Sequence, residues 1–356
     1  MVTDTFAFIH AAEVYSSEFR KRSEDLEYLD TLFDHVLPVL DWLKEQVDIA
    51  APYPHEIAAT FLNLMIDVSP YLQARSLHST TLKYIPACLQ AAANNPRYLV
   101  KINLIAYHAH FMFGQWQEAK LNAQAAVFHS KNCPSCDQAL AYQALAILQQ
   151  NSGDFKPSLD NFARAKLLFK KIGDKKGEFD IISQEAAYYV DHERYTEANK
   201  LYTQVEEYEI TCCGQPSGHT LLMIGVVSRR LKMNARAIAY LQELARRGMT
   251  NPSTSDLATA LHHMAWVFIN QGDLQKAWEY GKTAARKYQE INDLRGTSDA
   301  DEQLGEIARL KEEYETSACL LKKAIQIRQK LANKVGLASA YRRLSKTRIK
   351  RWLHEL

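Results

Sequence analysis

Gly272-Asp-Leu-Gln-Lys-Ala277 recurs along the chain as Gly114-Gln-Trp-Gln-Glu-Ala119, Gly153-Asp-Phe-Lys-Pro-Ser158, Glu193-Arg-Tyr-Thr-Glu-Ala198, Lys232-Met-Asn-Ala-Arg-Ala237 and Glu312-Glu-Tyr-Glu-Thr-Ser317. Every copy ends on Ala or Ser, and the successive separations of those last residues are 39, 40, 39, 40 and 40. Counting back another 40 from Ala119 reaches Ser79, so seven units are expected to share one phase. Seven residues after the later anchors stand Ala126, Ala165, Val205, Leu244, Ala284 and Ala324, two helical turns on along the same face. Both columns are mostly small, as they must be where two helices approach closely.

Between these marks apolar residues are spaced three and four apart, for example Leu261, Met264, Ala265 and Phe268, which is the pattern of amphipathic helices. Gly177, Gly296 and Gly336 each lie 19 residues beyond an anchor and end the turns Ile172-Gly-Asp-Lys-Lys-Gly177, Ile291-Asn-Asp-Leu-Arg-Gly296 and Leu331-Ala-Asn-Lys-Val-Gly336. Glycine there is expected to supply the backbone freedom of a tight helix-to-helix connection. Each unit therefore reads as a helix A, a turn, a helix B and a connecting loop.

These residues resemble the tetratricopeptide repeat (TPR). Leu304-Gly305 and Ile224-Gly225 match the Leu-Gly pair of its helix A, with Ala146, Ala186 and Ala265 as other small residues in that place; Tyr195, Tyr314, Trp116 and Phe155 match the aromatic that opens helix B. The resemblance covers about residues 60 to 356 and departs from the common form of about 34 residues by about six per unit. One unit differs in its internal spacing: Ala106 to Gly114 is one residue longer than Ala265 to Gly272, and a local distortion is expected there. The longer repeat is similar to the sensor arms of bacterial STAND signalling ATPases and to peptide-binding TPR scaffolds. The resemblance implies an all-α, right-handed solenoid of about seven hairpins that binds another protein or a peptide.

Three segments follow. Residues 1–54 read as an N-terminal helical cap, since Phe6 to Lys21 and Leu26 to Gln46 carry helical periodicity without a clean repeat; Pro38 is expected to kink the second stretch and Ala51-Pro-Tyr-Pro54 to end it. Residues 55–335 form the array. Residues 336–356 read as a basic capping helix, with Arg342, Arg343, Lys346, Arg348, Lys350 and Arg351 against Glu355.

Composition narrows the function. With 43 Lys plus Arg against 41 Asp plus Glu in 356 residues, the formal charge of +2 disfavours a general polyanion binder, and Trp352 alone among the terminal basic residues makes a thin case for nucleic acid. No run approaches 18 apolar residues and Met1 to Phe8 lacks a basic residue, so neither a membrane span nor a signal peptide is expected, and a cytoplasmic location is. Six irregularly placed cysteines read as reduced thiols. Cys133-Pro-Ser-Cys136 and Cys212-Cys213 are read as loop thiols, not a shared metal site, because two repeats separate them and no further C-x-x-C follows. His262-His263 and His108/His110 belong to no H-E-x-x-H, and no phosphate loop or nucleophile elbow is found, so no enzyme activity, metal or cofactor is expected.

Transferring the family's inward-facing positions of helix A selects Gln143, Gln150 and Asn151, then Asp180 and Asp191, Arg229 and Arg230, His262, Trp266 and Asn270, and Glu302, Glu306 and Arg309. Such a groove mixes amides, both charges and one large aromatic, where a merely solvated face is more often Lys and Glu. Its arginines could take ligand carboxylates, its amides a peptide backbone, and Trp266 an apolar side chain. The bland alternative is that Arg229 and Arg230 pair with Asp191 or Glu302 and serve only the fold. A second functional reading is a regulator similar to intracellular peptide-pheromone receptors, in which a peptide changes the curvature and releases a partner. Association with a second copy of the chain is compatible with either.

Overall fold

The computed structural model describes residues 2–49, 54–250, 255–331 and 334–355. Every element among them is a helix: α1 (Val2–Lys21), α2 (Leu26–Ile49), α3 (His55–Ala74), α4 (His78–Ala92), α5 (Pro96–Met112), α6 (Trp116–Ser130), α7 (Ser135–Ser152), α8 (Phe155–Ile172), α9 (Lys175–Asp191), α10 (Tyr195–Cys213), α11 (Gly218–Arg230), α12 (Asn234–Thr250), α13 (Asp256–Gln271), α14 (Leu274–Glu290), α15 (Leu294–Leu310), α16 (Tyr314–Lys330) and α17 (Lys334–Glu355). The expected break at Ala51-Pro-Tyr and part of the last connector, Ala332-Asn333, lie outside the described residues. The helices group into two compact units, residues 1–184 and 185–356, divided within α9. Each unit is a run of stacked hairpins, the local architecture of an α-solenoid.

The repeat phase is visible in the packing. Ala119, Ser158, Ala198, Ala237, Ala277 and Ser317 have no exposed surface, and the column seven residues on is equally buried, from Ala126 and Ala165 to Ala284 and Ala324. The first residue of each motif turns the chain from helix A into helix B through the left-handed region, with φ of 69° at Gly114, 85° at Gly153, 58° at Glu193, 60° at Lys232, 78° at Gly272 and 65° at Glu312. Three of the six are not glycine, so the turn tolerates the Cβ penalty when the flanking helices enforce it.

This geometry corrects the phase of the first hairpin. Ser76 has φ 55°, which makes Thr81, five residues later, the equivalent of Ala119; Thr81 is 3% exposed, whereas Ser79 faces solvent. The spacing there is 38, not 40, because α4 is two residues shorter than α14, whose anchor lies 40 residues before the next, while the connectors to α5 and α15 are equal at three residues. The expected distortion before Gly114 is likewise a matter of register. α5 is continuous to Met112 and closes with the hydrogen bonds Gly114 N to Phe111 O and Gln115 N to His110 O, as Gly153 and Asp154 close α7. Tyr107, seven residues before Gly114, holds the column that Ala146 holds before Gly153, and packs with Ala119 and Ala123.

Gly177 and Gly296 are needed for a different reason from the one expected. Each lies in the first turn of its helix, capped by Asp174 Oδ1 at 2.9 Å and Asp293 Oδ1 at 2.8 Å from the glycine N–H. A Cβ on Gly177 would stand 2.4 Å from the Phe169 ring and one on Gly296 2.2 Å from the Tyr288 ring. Close approach excludes a side chain; the left-handed backbone sits instead at Gly173 and Asn292.

In unit 1, α1 packs against both α2 and α3, and α2 remains a single helix through Pro38. Leu29, Val36, Leu40, Leu43 and Val47 are its buried face, continuous with Phe61, Leu64, Met65 and Tyr84 of α3 and α4. Polar pins fix these helices at their rim: Tyr71 donates to Asp30 at 2.8 Å, Tyr84 to Asp41 at 2.8 Å, and Arg20 pairs with Asp67 at 3.0 Å. In unit 2, α17 packs on α16 through Ala340, Leu344 and Thr347, the last bonded to Ser317 Oγ at 3.0 Å, while Ile349, Trp352 and Leu353 stay exposed.

Candidate functional site

In unit 2 the helices α11, α13, α15 and α17 lie side by side, each backed by a B helix. Their common face carries the chemistry. Arg229, in the last turn of α11, is positioned by Ile224 and Val227, buried with Ala198 and Tyr202 of α10, and by Gly225, where an added Cβ would stand 2.9 Å from Leu241 of α12; together these fix the helix rotation. That rotation leaves Arg229 only 8% exposed. Its Nε has no hydrogen-bond partner, and no carboxylate among the described residues pairs with it. Burial, with the neighbouring Arg230 charge, pulls its pKa down to about 10.

Trp266 of α13 stands next to it, with the Arg229 guanidinium 6.0 Å and the Arg343 guanidinium of α17 5.5 Å from the indole. The indole N–H donates to His262 Nε2 at 3.2 Å, and Gln303 of α15 donates to the His262 carbonyl at 2.8 Å. Because Nε2 accepts, neutral His262 carries its proton on Nδ1, which has no partner; Ser228 Oγ, His263 Nδ1 and Gln303 Oε1 are also buried and unpartnered. Burial and then the Arg229 charge hold His262 down to about 4, and burial, with His262 and the two arginines, holds His263 well below its ordinary value.

The sign of this effect is testable. A histidine whose folded-state pKa lies below the unfolded value near 6.5 stabilises the fold fully above that pH, and the contribution is lost as pH falls toward about 4. Urea unfolding at pH 7 and pH 5 is expected to show a lower midpoint at pH 5, and His262→Gln is expected to narrow the difference.

The acids of this face are already engaged. Arg328, 3% exposed, pairs with Glu302 and donates to Asp299 at 2.6 Å and to the Gly336 carbonyl at 2.7 Å. Arg343 donates to Glu302 at 2.6 Å and pairs with Glu306 at 3.1 Å, and Arg309 pairs with Glu306 at 2.6 Å. Within this network five arginines (229, 230, 309, 328 and 343) face three carboxylates (299, 302 and 306), and the two without an acid are Arg229 and Arg230.

The expected groove residues divide accordingly. Gln143, Gln150, Asn151 and Asp180 belong to unit 1, where Asn151 is exposed and spends an N–H on the Ile147 carbonyl of its own helix. Asp191, exposed at the end of α9, acts electrostatically on Tyr202. Arg229, His262 and Trp266 are brought together, Arg230 stands exposed with its guanidinium 5.7 Å from the Tyr195 ring, and Asn270 is exposed at the end of α13. Glu302, Glu306 and Arg309 are tied into ion pairs. The alternative pairing of Arg229 and Arg230 with Glu302 is not formed, because Arg328 and Arg343 occupy that carboxylate. Sequence reasoning missed Arg343, Arg328 and Gln303; for Arg343 the available signal was the recurrence of opposite charges on successive A helices, while Arg328 on the B helix α16 and the uncharged Gln303 carried no such signal.

Outside this face the chemistry is sparse. Among the described residues no cluster of three His, Cys, Asp or Glu could hold a metal ion. The thiols are less loop-bound than expected: Cys136 lies in the first turn of α7, and Cys212 and Cys213 end α10. Cys133 is pushed up by burial and then by Asp137, away from a reactive thiolate.

Comparison with solved structures places the fold. The apo form of the quorum sensor NprR from B. thuringiensis aligns with a TM-score of 0.61 at 14% identity, over 96% of this chain and 95% of that one. A Rap protein complexed with Competence and Sporulation Factor aligns at 0.57 and 14% identity, over 84% and 99%. A STAND protein with a tetratricopeptide repeat sensor from Pyrococcus horikoshii aligns at 0.55 and 16% identity over 84% of this chain, which spans about half, 52%, of that protein. No protein-family model and no curated protein matches the sequence. The chain has the tetratricopeptide repeat fold.

Proposed function

We propose that this chain is a non-catalytic TPR adaptor that binds a peptide or an extended segment of another protein along the A-helix face of unit 2, with residues 1–54 and 336–356 as terminal caps. The observation that carries the reading is Trp266, a half-buried aromatic with guanidiniums 6.0 and 5.5 Å away and a buried, acid-free arginine beside it. An indole so placed presents a rigid apolar surface rimmed by donors, the composition of a binding hot spot. NprR is described as a quorum sensor and the Rap protein is seen with a bound factor, which supports a regulatory role in which binding alters how the hairpins stack. Six unpaired cysteines support a reducing, cytoplasmic setting, and among the described residues no helix is long and apolar enough to cross a membrane.

Affinity capture from native cells on the tagged chain, beside Trp266→Ala, tests the reading. A protein or peptide retained by the wild type and weakened about tenfold or more by the variant, at unchanged helicity, is the expected result. Equal capture by both sinks the assignment to this face.

A further inference from the structure

If this face binds a peptide, on which the following rests, the groups that line it decide which chemical group of the peptide it selects. We propose that it selects a carboxylate, seated on Arg229 at the C-terminal end of α11 with Trp266 alongside.

The charge balance argues for an anion. An arginine that is more than nine-tenths buried as a residue is normally matched by a carboxylate, because the hydration its guanidinium loses has to be replaced. Arg328, on the same unit and equally buried, is matched in that way by Asp299 and Glu302. Arg229 is not: it makes no ion pair, its Nε is unpartnered, and the neighbours that act on it electrostatically are Arg230 and Tyr195. The nearby acids cannot be borrowed, since Glu302 and Glu306 are each shared by two arginines. The histidines add no compensating charge of either sign, being held neutral by burial. One unit of negative charge is therefore missing next to Trp266, and it has to come from outside the unit.

The position distinguishes a carboxylate from a phosphate. Arg229 and Arg230 occupy the last turn of α11, the end of the helix that carries the partial negative charge of its dipole. A dianion is disfavoured at such an end, whereas a monoanion with two oxygens matches the planar guanidinium edge. The indole surface beside it suits the methylene or side chain that precedes the carboxylate, and exposed Arg230 raises the local concentration of acidic segments.

The test uses the full chain and a pool of random peptides of about nine residues, enriched on the immobilised protein; the selected sequences are then made in three forms and measured by fluorescence polarisation. One form keeps Glu and Asp with an amidated C-terminus, a second replaces them by Gln and Asn with the same amide, and a third combines Gln and Asn with a free terminal carboxylate. Expected is a preference of about tenfold or more for the acidic over the fully neutral form, erased by Arg229→Gln, reduced by Arg230→Gln and kept by Arg286→Gln on the B helix α14, an exposed arginine outside this face. If the free-terminus form alone shows the gain, the carboxylate is terminal and the assignment to Arg229 stands provided Arg229→Gln erases it. Equal binding of all three forms overturns the carboxylate while leaving the peptide-binding reading intact, and a preference that survives Arg229→Gln overturns the site. Failure of any peptide to enrich overturns this inference together with the reading it rests on. Circular dichroism and thermal melting of Arg229→Gln confirm that the variant is folded.

Discussion

Arg229→Met is expected to produce a chain that is more stable than the wild type and that no longer binds its partner. The side chain is 8% exposed, has no ion pair, and is held to a pKa of about 10 by burial, so the folded state bears an uncompensated charge that the unfolded state hydrates freely. Replacing a buried charge by an apolar side chain of similar volume is often stabilising by about 1–3 kcal/mol, which for a unit of this size is on the order of 5 °C in melting temperature. Methionine is flexible enough to fill the space beside Ser228 and the Trp266 indole. Differential scanning calorimetry beside partner capture gives both readouts. A gain in stability with loss of binding is the mark of a residue retained for function at the expense of the fold. A loss of stability would show that Arg229 serves the packing.

Glu302→Ala is expected to be the most damaging single change on the same face, by on the order of 3 kcal/mol. Glu302, 7% exposed, accepts from Arg328, from Arg343 Nε at 2.6 Å and from Ser339 Oγ at 2.7 Å, and so joins α15, α16 and α17 at one carboxylate. Its removal leaves Arg328 buried with Asp299 and the Gly336 carbonyl, and leaves Arg343 to Glu306 alone. Urea unfolding should show a lower midpoint, and amide exchange in α17 should rise first, since that helix loses two of its links. Uniform protection in α17 would mean that Ala340, Leu344 and Thr347 hold the helix without the ion pairs.

The two variants move stability in opposite directions although both remove a buried charge from one surface. The difference lies in whether the charge has a partner, and composition cannot display it. In the sequence Arg229, Glu302, Glu306 and Arg309 look alike, as inward-facing polar residues at repeat-related positions. Only the placement of Arg328 on a B helix and of Arg343 on α17 decides which acids are consumed and which arginine is left over. Three of the residues expected to meet a ligand are, for that reason, ion-pair partners of their own fold.

The repeat itself was legible because close packing leaves a local record. Wherever helix B crosses helix A the side chain must be small or matched to a small partner, so Ala and Ser recur near every fortieth residue, and Leu241 and Leu321 appear opposite Gly225 and Gly305. Helix type, hairpin order and turn positions follow from that record, and the two N-terminal helices from apolar periodicity alone. Counting fails where an element changes length or register, as at Thr81 and Tyr107, because nothing local marks a B helix shortened by two residues or a helix read one residue out of register. Spacing also hides why Gly296 is glycine, since the ring it makes room for, Tyr288, lies on the preceding helix. What the sequence by itself determined is the set of helices and the faces they bury, both of which depend on interactions within about two turns of chain. What only the tertiary structure decided is the charge balance around Trp266, because it depends on groups from four or more helices, from Arg229 to Arg343, meeting across a surface that no local pattern encodes.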